Sequence, residues 1–89
     1  MLSREAEITN KLGLHARASA KFTQLAGKFR SDVYMSKGGR RVNAKSIMGV
    51  MMLAAGMGTK VTVETDGPDE AEAMETLLAL IASKFNEAD

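Results

Sequence analysis
An α+β fold is predicted: an open-faced βαββαβα sandwich in which three helices cover one side of a four-stranded, mostly antiparallel sheet. Three observations carry it. Apolar residues alternate with period two in four short segments, and they recur with period 3.6 in three others. Two adjacent strands flank a Gly-Gly pair, the sequence form of a tight hairpin. A helix following nearly every strand or strand pair, with no long linker, implies helices gathered on one face of the sheet.

The elements follow in order. Residues 2 to 9, LSREAEIT, place Leu2, Arg4, Ala6 and Ile8 on one side, a period-two pattern suited to an edge strand. From Ala16 the period becomes 3.6: Ala18, Phe22, Leu25, Ala26 and Phe29 form one stripe, and Gly27 is placed to end the helix. SDVYMSK, GG and RRVNAK predict a hairpin with Val33, Met35, Val42 and Ala44 on its buried face. SIMGVMMLAAGMG begins with a serine suited to an N-cap and leaves through glycines, giving a short helix. KVTVETD is the fourth strand. In DGPDEAEAMETLLALIASKF, Pro68 suits the first helical position, and Asp69, Glu70 and Glu72 suit the positive end of the dipole. Met74, Leu77, Leu78, Ile81 and Phe85 form its stripe.

With 89 residues, 45% of them apolar and 26% charged, the chain reads as one packed domain rather than a disordered segment. Cysteine is absent and His15 is the single histidine, so neither thiol chemistry nor a transition-metal site is expected, and no cofactor is called for. No apolar run approaches the roughly 18 residues of a membrane span, and the charged N-terminus is unlike a signal peptide, so membrane insertion is not expected and a cytoplasmic location is. Net charge is +1, but residues 1 to 60 carry +8 and residues 61 to 89 carry −7. That division predicts a basic surface for a phosphate or an acidic partner, with the acidic tail directed elsewhere.

The most specific stretch is GLHARAS, residues 13 to 19. A histidine immediately before a helix faces unpaired amides and the positive end of the dipole. Those fields disfavour imidazolium and leave the ring nucleophilic. The same amides, those of Ala16 and Arg17, would bind a phosphoryl group that the ring acquires, and the Arg17 guanidinium suits phosphate oxygens. In sequence the nearest acids to His15 are Glu7 and Asp32, so no orienting carboxylate is expected, which disfavours a hydrolase triad but not a phosphoryl acceptor. In the short helix Val50 and Leu53 serve the core. Met48, Met51 and Met52 are left on another face at helical spacing, an adaptable apolar surface.

GLHARAS, NAKSIMGVMML about thirty residues later, and DGPDEAEA together resemble HPr, the family of histidine-containing phosphocarriers of the bacterial phosphoenolpyruvate-dependent sugar phosphotransferase system. The resemblance spans the whole chain. It implies the same βαββαβα fold and a carrier rather than an enzyme. His15 would be phosphorylated on Nδ1 by Enzyme I, and Arg17 would stabilise the phosphate and help pass it to IIA-type proteins. Ser46, an N-cap on the residues alone, would be the target of a dedicated HPr kinase/phosphorylase. Ile47, Met48, Met51, Met52 and Ala20, with Arg17 and Lys21, would make an apolar patch rimmed by cations, the docking surface of a monomer. The family usually has proline where this chain has Ala18, which leaves the first helical turn less rigid and should tune the transfer rate. A nitrogen-related or purely regulatory homologue is the alternative within the family. A basic nucleic-acid-binding domain using Arg17, Lys21, Lys28, Arg40, Arg41 and Lys45 is a rival outside it, weakened by 4% aromatic content and no use for His15.

Overall fold
The structure, a computed structural model, describes residues 1–87. Its elements are β1 (Leu2–Glu7), α1 (Ala16–Ala26), β2 (Asp32–Lys37), β3 (Arg40–Asn43), α2 (Ile47–Met52), β4 (Lys60–Asp66) and α3 (Glu70–Ala82), followed by a single turn at Lys84–Asn86. The sheet order is β1-β4-β2-β3 and every pairing is antiparallel. β1 is therefore an edge strand, as its weak alternation predicts, and it stops at Glu7 rather than residue 9.

The hairpin forms at the glycines. Lys37 pairs with Arg40, and Gly38 and Gly39 sit at φ +56° and +84°, the left-handed pair that a two-residue turn between twisted strands requires. Met35 lies opposite Val42 on the face turned to the helices. That face also presents Val33, Val61 and Val63, against which Ala18, Phe22, Val50, Leu53, Met74, Leu77 and Ile81 pack from the three helices. Phe22 is fully buried, worth roughly 1.5–3 kcal/mol of apolar transfer. The other face of the sheet is polar. There the Arg41 guanidinium lies 3.7 Å from the Tyr34 ring centroid while its Nε donates to Glu64 at 2.7 Å.

Phe29, counted in the α1 stripe, lies beyond the end of that helix and outside the core. Three further details depart from the sequence reading. Gly27 caps α1 in an ordinary right-handed conformation, φ −66°, so it ends the helix without the left-handed bend. Pro68 stands before the cap rather than at the first helical position: α3 starts at Glu70, because Asp69 is drawn across to another loop. Its carboxylate accepts from Arg30 N, Ser31 N and Ser31 Oγ at 2.9, 2.9 and 2.5 Å. Finally, α3 does not run to Phe85. It ends at Ala82, and Lys84, Phe85 and Asn86 all take positive φ, 58°, 56° and 60°. Each left-handed non-glycine residue costs roughly 1–2 kcal/mol. Complete burial of the Phe85 side chain and a 2.7 Å bond from Lys21 Nζ to Phe85 O offset that cost.

Candidate functional site
His15 is the N-cap of α1. Its backbone is extended (φ −76°, ψ −178°), its carbonyl accepts from Ser19 N at 2.8 Å, and its Nδ1 accepts from Arg17 N at 3.2 Å. Histidine thus performs the capping usually done by Ser, Thr or Asp, with a ring nitrogen in place of an oxygen. Because Arg17 N is a donor, Nδ1 carries the lone pair.

The loop before His15 is held from beneath. Gly13 has φ +66°, and a Cβ there would lie 2.4 Å from Ala55 O, so no other residue allows this approach. Leu14 N donates to the same carbonyl at 2.8 Å, and Ser19 Oγ donates to Leu14 O at 3.1 Å. The ring consequently sits at the rim of an open cleft shared with Leu12, Ala16, Arg17 and Lys21. The Arg17 side chain is exposed and makes no hydrogen bond or ion pair among the described residues; the Ala16 amide makes none either.

The structure brings a carboxylate to the ring that sequence spacing did not. Glu87 Oε2 lies 2.7 Å from His15 Nε2, and Oε1 accepts from Asn10 Nδ2 at 3.1 Å. Asn10 is fully buried and spends its other amide hydrogen on Gly13 O at 2.8 Å. This corrects the expectation that no acid reaches His15, and also the expectation that the acidic tail points away. Glu87 is 72 residues from His15 in the chain, so nothing local announced it. Asn10 did lie in a turn-like NKLG stretch, the one available hint.

Ser46 caps α2, its Oγ accepting from Gly49 N at 3.2 Å, and is exposed. Beside it Ile47, Met48, Met51 and Met52 are all exposed, Met48 to 65%, while Val50 and Leu53 are buried. Leu12 and Met57 add exposed apolar surface that the sequence reading did not include. Ala20 is half-buried, and Lys21 spends its ammonium on Phe85 O rather than leaving it wholly for a rim. On the polar sheet face Glu5 and Glu64 lie among Lys37, Arg41 and Lys60, so the cations there form no unbroken basic stripe.

A family model described as "PTS HPr component phosphorylation site" matches residues 2–83. The chain is 71% identical over 89 residues, the full length of both, to a phosphocarrier protein HPr of Cupriavidus necator. A solved structure of HPr-C-His from Thermoanaerobacter tengcongensis superposes with a TM-score of 0.96 at 47% identity, covering all of both chains. Another from that organism, described as an HPr dimer, superposes at 0.79 with 48% identity over 98% of this chain and 100% of that one.

Proposed function
Since the chain belongs to the HPr family of phosphotransferase-system phosphocarriers, we propose that His15 Nδ1 accepts a phosphoryl group from Enzyme I and surrenders it to IIA-type proteins. One observation carries the assignment: Nδ1 faces the Arg17 amide at a helix start, with the Ala16 amide beside it. When phosphorus bonds to Nδ1, the Arg17 N–H passes from the ring nitrogen to a phosphoryl oxygen, and the Ala16 N–H and the Arg17 guanidinium supply further donors. The site needs no base, because an imidazole nitrogen with a lone pair is already the nucleophile. In this reading the carrier acts as a monomer.

Ile47, Met48, Met51, Met52, Ala20 and Lys21 form the docking surface in this reading. Methionine suits the need to meet several differently shaped partners. Ser46 is a second phosphorylation target, for an HPr kinase/phosphorylase. A phosphate there adds about two negative charges at a helix start, which α2 tolerates and an acidic partner does not.

Incubation with phosphoenolpyruvate, Mg²⁺ and Enzyme I should give one added phosphate, lost in acid and retained in base. An adduct that persists in His15→Ala, or no adduct at all, would sink the assignment.

A further inference from the structure
The contact between Glu87 and His15 is supported on every side. A left-handed turn through Lys84, Phe85 and Asn86, pinned by buried Phe85 and by Lys21, delivers Glu87 to the ring. Buried Asn10 then holds one carboxylate oxygen, leaving the other against Nε2 at 2.7 Å, with the Glu87 side chain only 12% exposed. The two ring nitrogens are fixed by opposite partners. The Arg17 amide hydrogen claims the lone pair of Nδ1, and the carboxylate claims the hydrogen of Nε2.

We propose that Glu87 is a positioning residue for phosphoryl transfer: its carboxylate holds the His15 ring in the Nε2–H tautomer and so makes Nδ1 the accepting atom. The inference rests on the carrier reading above. In the forward step the Nδ1 lone pair forms a bond to phosphorus while the bond from phosphorus to the donor's leaving atom breaks, its electron pair remaining with the donor. Nε2 keeps its proton throughout. The ring therefore becomes cationic as it is phosphorylated, and the Glu87 carboxylate stabilises that charge through a charge-assisted hydrogen bond. In onward transfer the N–P bond electrons return to Nδ1, and the ring leaves as neutral imidazole with its Nε2 proton still in place. The same carboxylate thus serves loading and unloading, and no proton has to move. Its relation to the ring is that of the orienting aspartate in a hydrolase triad, without the hydroxyl nucleophile.

The test compares wild type, Glu87→Ala and Glu87→Gln by ¹⁵N spectroscopy of the His15 ring at alkaline pH, and by the initial rate of phosphorylation from phosphoenolpyruvate through Enzyme I. Wild type should show the Nε2–H tautomer. Glu87→Ala should show a mixture of tautomers and a rate lower by about 10-fold or more, the usual scale for losing a partner that orients a histidine. Glu87→Gln, whose amide oxygen still accepts from Nε2–H but carries no charge, should keep the tautomer and fall between the two in rate. An unchanged ring spectrum or an unchanged rate in Glu87→Ala, beside a wild type that is phosphorylated, overturns the role of Glu87 alone. A wild type that takes up no phosphate overturns the carrier reading beneath it.

Discussion

Asp69 shows how one side chain can be placed correctly by sequence and still be put to another use. Its position at the start of α3 suggested a dipole partner, but the carboxylate caps the Arg30 and Ser31 amides of the loop between α1 and β2. The Ser31 hydroxyl above all, then the Arg30 amide, lowers its pKa from 3.8 to about 2. The folded value lies below the unfolded one, so the stabilisation is present above pH 3.8 and is lost as pH falls through about 2. Urea unfolding over that interval should show the wild-type midpoint dropping in acid, and Asp69→Asn should drop less steeply while starting lower. The helix-start places of His15 and Ser46 were legible because capping is local: the partner amide is two or three residues away. Asn10 and Glu87 were not, because the bond between them closes 77 residues of chain and leaves no spacing to read.

Among the elements, type and order were read correctly throughout, and the errors lie at the ends, where a period says nothing about chain direction. Phe85 continues the stripe of Leu77, Leu78 and Ile81 and does reach the core, so the apolar pattern was right. A pattern of buried positions does not distinguish another helical turn from a left-handed one that buries the same ring. α2, only six residues long, depends strongly on its cap. Ser46→Ala should cost about 1 kcal/mol in urea unfolding, whereas Ser46→Asp, which can still cap, should cost much less. In the same pair, Ser46→Asp should slow loading of His15 through Enzyme I and Ser46→Ala should not. Equal loading rates would count against control by charge at the docking surface.

At the scale of the whole molecule, the division of charge along the chain does not become a division between two faces. Glu64 from the acidic half pairs with Arg41 from the basic half, and Glu87 folds back onto His15. What remains near the ring is cationic: Arg17 on the first turn of α1 and Lys21 one turn on. Encounter with an acidic partner should therefore be steered by charge, and the pseudo-second-order loading rate at low partner concentration should fall about 10-fold between 0.05 and 0.5 M salt. The rate at saturating partner should change far less, because the step within the complex is shielded from solvent ions. Stopped-flow measurement at the two salt levels separates these regimes.

The fold also sorts its methionines into two chemical classes. Met35 and Met74 lie in the core, while Met48, Met51, Met52 and Met57 stand open to solvent. Thioethers that give a surface its pliancy are the ones a peroxide reaches first, and each sulfoxide formed there would turn an apolar contact polar while leaving the sheet and its helices intact. Oxidative ageing would then degrade recognition well before it degraded the fold.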